Sequence, residues 1–408
     1  MYGLGIISRL DGISNIATYL SEINILYSKI LQSLSIGSTY LTNHEMTMLS
    51  RFNDNAPYVS SELYNINDIV KNINDALEDS TLILNNNIPV KSGVISLVYY
   101  GTLNNQDIVI KVKRKNIEYN LIRDLDNIQF IINITRYIPY LNTFNLSIVF
   151  QETRDMLTSQ LDFNQEMRHI NKVRFNYRNL SKFVIPKAYE RCTEIDDRVI
   201  VMDRLYGKNL LEITNSSDSS DNKEYSALLS QFIIKSFLHD RLYHADLHAG
   251  NLFFMNVDGE NKIGIIDYGI MGTVTAHDQN IYYNFFMKLL IDKQPWDSAE
   301  ILMLGLIYPK HRYLELSEER KLEVLTKTST IISNIIKSNT TIELHHLFDI
   351  NLMLYNYELG LTREFCRIQL AFSIATCLCK EVYGSNSMIL DMSNAIETLI
   401  SHDKLLDI

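Results

Sequence analysis

The 408-residue sequence predicts an α+β chain in which a small antiparallel sheet lies between helical segments. Three observations point there. Strand-like runs separated by turn residues fall within 90–205: GVISLVYYGTL, DIVIKVKR and RVIVMDRLYG. Before and after that stretch, apolar residues recur at steps of three and four, the helical period. A dense polar cluster, HADLHAGN (244–251), follows one such helix and runs into NLFFMNVDGENKIGIID, which reads as strand, turn, strand.

In chain order, Ile13, Ile16, Leu20, Ile23, Tyr27, Ile30 and Leu34 predict an amphipathic helix over 10–35. Lys29 and Gln32 share one edge of it. A second helical segment is expected over 60–85, closed by the turn-like NNNIPV. NNQD (104–107) is expected to turn the first strand into the second, and a mainly helical stretch runs from about 117 to 178. NSSDSSDNKE (215–224) is polar without apolar period and reads as a linker. Leu228, Leu229, Phe232, Ile233 and Phe237 then predict a buried helix, and 276–408 alternates helical patterns with polar breaks. The expected division is a helical extension (1–89), a sheet-bearing part (90–205) and a mainly helical part (206–408), without internal repeats.

With 46% hydrophobic and 21% charged residues, the chain can bury a full core. Its 38 basic and 48 acidic side chains leave a formal charge of −10, which argues against a general nucleic-acid binder. IKVKRK (110–115) is a local basic candidate. Cys192 and Cys366 are isolated, and Cys377 and Cys379 point in different directions on a helix, so reduced structural thiols are expected. The N-terminus lacks the pattern of a signal or transit peptide. No run of about 18 apolar residues predicts a transmembrane helix. A soluble, cytoplasmic or organelle-internal chain is the expectation.

Asp246 and Asn251 form D-x4-N, and Asp267 follows sixteen residues later in IGIIDYG. Phosphoryl transfer from ATP needs such groups. Oxygen donors from an Asn and an Asp can hold a divalent cation, and a separate Asp orients or deprotonates the nucleophile. Gly269 is expected to turn the chain sharply after Asp267. D-x4-N alone is common by chance; its strand-hairpin distance from IIDYG gives it weight. The partner lysine should lie on a strand, and Lys111 alternates with the apolar Ile110 and Val112. A lysine buried there needs a counter-charge. Glu166, on a helical segment between that strand and VIVMD, is the candidate. Lys113, Arg114 and Lys115 are read as surface cations, and His44, His277, His345 and His346 as structurally bland. His248, two residues after Asp246, either meets the transferring phosphate or braces its loop.

Together HADLHAGN and IGIIDYGIMG resemble the UbiB-type atypical kinase family, associated with coenzyme Q and isoprenoid-lipid metabolism, whose pattern is H-A-D-P-H-P-G-N then D-F-G-x-x-G. GVISLVYYGTLNNQDIVIKVKRKNI is similar to its alanine-rich loop and lysine strand, SQLDFNQEMRHINKV to its E-x-D helix, and YSKILQSLS to its K-x-G-Q motif. The resemblance covers about residues 10–290. It implies a protein-kinase-like, two-lobed fold with a small N-lobe sheet, a mainly helical C-lobe and an N-terminal helical extension.

The resemblance further implies ATP and Mg2+ as cofactors, with the nucleotide between the lobes. Lys111 would contact phosphates, held by Glu166. Ser92 and Gly93 would lie in the nucleotide loop, and Met202, Asp203 and Leu205 at the adenine-side hinge. Asn251 and Asp267 would be the metal ligands and Asp246 the catalytic carboxylate. Lys29, Gln32, Gln160 and Asp162 would be regulatory, because in that family the K-x-G-Q helix folds over the active site.

Several positions depart from the family pattern. Leu31 stands where K-x-G-Q has glycine, Gln160 replaces the glutamate of E-x-D, Gly93 stands among residues where alanines are usual, and Leu247 and Ala249 replace two prolines. Altered autoinhibition with retained nucleotide binding is the expectation. The sequence leaves the acceptor unidentified, with a lipid-linked molecule or a protein as candidates, and any membrane contact is expected to be peripheral. Two other readings stay open: a small-molecule phosphotransferase of the aminoglycoside or choline kinase type, and a nucleotide-binding pseudokinase scaffold. A turnover screen with hydroxylated small molecules separates the first; ATP binding without hydrolysis favours the second.

Overall fold

The computed structural model describes residues 58–77, 80–135, 146–215, 219–337, 344–383 and 394–396. Lys29, Leu31 and Gln32, with the helix expected over 10–35, lie outside the described residues. The elements of the first part are α1 (Ile66–Ala76), β1 (Leu82–Leu84), β2 (Lys91–Ser92), β3 (Ser96–Leu103), β4 (Gln106–Lys113), α2 (Ile117–Thr135), α3 (Leu146–Ser159) and α4 (Phe163–Asn176). Then come β5 (Phe183–Val184), α5 (Glu190–Ile195), β6 (Val199–Asp203), α6 (Leu210–Asn215), α7 (Ser219–Leu238) and β7 (Leu242–His244). After these follow β8 (Leu252–Val257), β9 (Glu260–Ile265), β10 (Met271–Thr273), α8 (Ala276–Phe286) and a mainly helical remainder closed by Arg363–Tyr383.

The chain divides into two compact units. One comprises the described residues through Lys172 with Pro186–Arg204; the other comprises Val173–Ile185 and the described residues from Leu205 onward.

In the first unit the sheet order is β1-β3-β4-β6, with β2 also on β3, and every pairing is antiparallel. The β3–β4 hairpin closes through Asn104 and Asn105, both at positive φ (50° and 66°). Two left-handed residues make the turn that matches strand twist, and asparagine tolerates that region better than most side chains. Alternation then buries Ile108, Ile110 and Val112 on one face of β4, where they meet Ile66, Ile69 and Ile73 of α1. The helix expected over 60–85 is therefore shorter. Asn74 binds both the N–H and the C=O of Leu82, and residues 82–84 become an edge strand on β3.

In the second unit β9 pairs antiparallel with β8 and parallel with β5, while β7 pairs with β10. Phe237 of α7 anchors the helical core. Its ring lies 5.4 Å from Tyr282 and 5.6 Å from Phe286, both on α8, and 6.4 Å from Phe372. The linker read over 215–224 is corrected for its described residues: α6 runs to Asn215 and α7 begins at Ser219. Serine and aspartate suit a helix start, where the backbone N–H groups lack partners and favour negative charge. The patterns that look like a linker are those of a first turn.

Candidate functional site

Lys111 sits mid-strand on β4, opposite Val98 of β3 and Ile200 of β6. Its neighbours Ile110 and Val112 point into the core, so alternation sends the ammonium to the other face. There Nζ donates to both carboxylate oxygens of Glu166, at 2.7 and 2.9 Å. Glu166 is 2% exposed. It lies in the first turn of α4, whose start is capped by Asp162: the Asp162 carboxylate accepts from the Gln165 N–H at 3.0 Å. The Phe163 ring lies beneath both strand lysines, 5.6 Å from Lys111 Nζ and 5.4 Å from Lys113 Nζ. Gln160 lies in the turn before Asp162.

The reading of Lys113 and Arg114 as surface cations is overturned. Lys113 is buried and donates to Glu118, and Arg114 is 3% exposed and paired with Glu62. Lys111, Lys113 and Arg114 thus each have a carboxylate partner, and IKVKRK is no open basic patch. Ser92 and Gly93 end β2 and begin the short turn into β3. Met202 and Asp203 end β6. The Asp203 carboxylate accepts from Gln106, Tyr189 and the Lys187 N–H, so its side chain ties down the strand end. Leu205 follows in the other unit.

In that second unit the polar cluster is built around a hairpin. Leu252 of β8 lies opposite Ile265 of β9, so Asn251 and Asp267 leave the hairpin at the same end. The Ile266 N–H donates to the Asn251 carbonyl at 3.1 Å. Pairing of β7 with β10 sets His244 opposite Met271. A Cβ on Gly272 would collide with the Tyr243 ring, so glycine permits this approach. The chain does bend at Gly269, but without a left-handed backbone; among the described residues the positive-φ glycine is Gly259. Gly269 contributes its amide instead, donating to Asp267 Oδ1 at 2.9 Å.

His244 is the residue the motif reading left without a role. It is 5% exposed, and its two ring nitrogens face opposite partners. Nε2 lies 2.5 Å from the Asp267 carbonyl oxygen and must donate; Nδ1 accepts from the Asp246 N–H at 3.2 Å. Only the neutral ring with its proton on Nε2 satisfies both. Burial accordingly lowers its pKa below the ordinary histidine value, against the pull of the Asp246 and Asp267 carboxylates. One imidazole therefore joins the Asp246 loop to the Asp267 loop. The signal was present in the sequence, as a histidine two residues before an aspartate at the end of an apolar run.

His248 Nδ1 accepts from the Gly250 N–H at 3.1 Å and caps the single turn Ala249–Asn251. Its Nε2 is 3.9 Å from Asp246 Oδ2. The contact seen is the brace. Asn251 Nδ2 donates to the Asp246 carbonyl at 3.0 Å, which leaves the amide oxygen as its remaining acceptor.

An amide oxygen and a carboxylate at one hairpin end form a hard donor set, the kind magnesium takes. Among the described residues no three His, Cys, Asp or Glu side chains form a metal cage. A pair of protein donors suits a cation that completes its shell with phosphate and water. No helix among the described residues is long and apolar enough to cross a membrane.

The ABC1 atypical kinase-like domain matches residues 51–298. The probable protein kinase UbiB of Shewanella baltica is 28% identical over 278 residues, 66% of this chain and 49% of that protein. An aarF domain-containing protein kinase of Arabidopsis thaliana is 25% identical over 224 residues, 53% of this chain and 41% of that protein. The chain thus spans about half the length of these relatives. Among solved structures, Mycobacterium tuberculosis Rv3197 in complex with erythromycin superposes with a TM-score of 0.52 at 15% identity, covering 79% of this chain and 84% of that one. A sheet-bearing unit and a mainly helical unit match a protein-kinase-like, two-lobed fold.

Proposed function

The chain belongs to the ABC1/UbiB family of atypical kinase-like domains, and from that premise we propose that it binds Mg-ATP and transfers or hydrolyses the terminal phosphate. The observation that carries this reading is the Lys111–Glu166 pair. Burying an ion pair costs desolvation that its own attraction often fails to repay. A strand lysine held by both oxygens of a helix carboxylate is better explained as a positioned charge for phosphate than as a source of stability.

Lys111 offsets negative charge on the phosphates while Glu166 fixes where the ammonium sits. Asp246 orients the attacking hydroxyl or water and accepts its proton. Asn251 and Asp267 hold magnesium, which when bound neutralises charge on the phosphate oxygens. Ser92 and Gly93 contribute the loop, and the Met202–Leu205 segment receives the adenine. The acceptor is a hydroxyl on a lipid-linked molecule or a protein, with peripheral contact to a membrane surface.

Lys111→Met and Asp267→Asn should each abolish the rise in unfolding temperature that Mg-ATP gives the unsubstituted chain. Each should also lower turnover by roughly 10²–10³. Undiminished Mg-ATP stabilisation in Asp267→Asn would remove the metal assignment.

A further inference from the structure

Arg114 follows the last residue of the lysine strand, and family patterns give it no role in the reading above. Its surroundings are specific. The guanidinium Nε donates to the Gly93 carbonyl at 3.0 Å, Nη2 to Ser92 Oγ at 2.8 Å and Nη1 to Glu62 Oε2 at 3.0 Å. The Arg114 backbone N–H donates to the Ile95 carbonyl at 2.9 Å. Both ends of the turn between β2 and β3 are thus fastened to one residue, while Gly93 N–H to the Ser96 carbonyl (2.8 Å) closes the turn internally.

The counter-ion is tied down as well. The Glu62 carboxylate also accepts from the Val59 N–H at 3.1 Å, and the Glu62 carbonyl accepts from the Lys115 N–H at 2.8 Å. Glu62 ends the short turn Ser60–Glu62, just before α1. A single buried fork therefore links three segments: residues 59–62, the 92–95 turn and the end of the lysine strand. All three belong to the same unit.

We propose that Arg114 is a positioning residue for nucleotide binding, holding the Ser92–Ile95 turn in its binding shape with Glu62 as its anchor. This rests on the ATP reading above. A flexible loop must be ordered when a ligand binds, and ordering it beforehand removes that cost from the affinity. The planar fork matters as much as the charge, because lysine cannot reach three acceptors in one plane.

The test compares Arg114→Lys and Glu62→Gln with the unsubstituted full chain by hydrogen–deuterium exchange without nucleotide and by steady-state ATP turnover. Arg114→Lys should speed exchange of the Gly93 and Ser96 amides and raise KM for Mg-ATP about tenfold, while kcat changes less than about threefold; tenfold corresponds to about 1.4 kcal/mol. Glu62→Gln should shift both in the same direction by a smaller factor. Unchanged exchange at 93–96 in Arg114→Lys overturns the positioning role, whatever the protein binds. Faster exchange with unchanged KM overturns the link to nucleotide. If the unsubstituted chain neither binds nor turns over Mg-ATP, the functional reading itself falls and the nucleotide role of Arg114 with it.

Discussion

Asp196 and Arg198 show how a two-residue spacing acquires an energetic role. The Asp196 carboxylate accepts from Arg198 Nε at 2.8 Å, from Nη2 at 2.5 Å and from the Arg198 N–H at 3.0 Å. Burial pushes this carboxyl up, yet the Arg198 bonds outweigh it and hold it below its ordinary value. A carboxylate with a lowered folded pKa stabilises the fold above its unfolded value and loses that contribution as pH falls through the folded one. Arg198→Ala should therefore cost about 1 kcal/mol at pH 7, discounted for the partly exposed guanidinium. The gap to the unsubstituted chain should close as pH drops below about 4; urea unfolding at pH 7 and pH 3 checks this. Thiol chemistry is similarly sorted by burial. Cys192 is buried and its pKa is pushed up to about 11, whereas Cys377 is exposed. Native alkylation at pH 8, followed by mass spectrometry, should label Cys377 well before Cys192.

At the scale of the element, the informative case is α4. Resemblance assigned Asp162 a regulatory charge, while the structure shows it capping the helix that carries Glu166. The two roles separate experimentally. Asp162→Ala should cost about 1 kcal/mol in stability, and Asp162→Asn should restore most of it, since asparagine caps as well as aspartate. A turnover change in Asp162→Asn at restored stability would show that the charge itself matters. The hairpin β8–β9 was legible in NLFFMNVDGENKIGIID because alternation and a DG turn are local signals. Residues 82–84 were not legible as a strand, because their partner in β3 lies about twenty residues away and propensity alone does not reveal it.

At the scale of the whole molecule, the strand lysine belongs to one compact unit and the 246–251 loop to the other. Saturating Mg-ATP, at a hundred times its Kd, should stabilise the chain by about 2.7 kcal/mol. Hydrogen exchange should then slow both along the Lys111 strand and in the loop 246–251. Unchanged exchange in either segment would refute the role proposed for that segment's residues.

By itself the sequence determined the kinds of group available: a strand lysine, a helix glutamate, the D-x4-N loop and the Asp-Tyr-Gly that follows it. It also determined the β3–β4 and β8–β9 hairpins, because turn chemistry and alternation act between neighbours in the chain. Only the tertiary structure decided that Arg114 is a buried clamp rather than a surface cation, and that His244 is a neutral brace between two loops. The reason is physical. Whether a polar side chain is covered, and by which partners, depends on segments distant along the chain, and a local pattern carries no record of them.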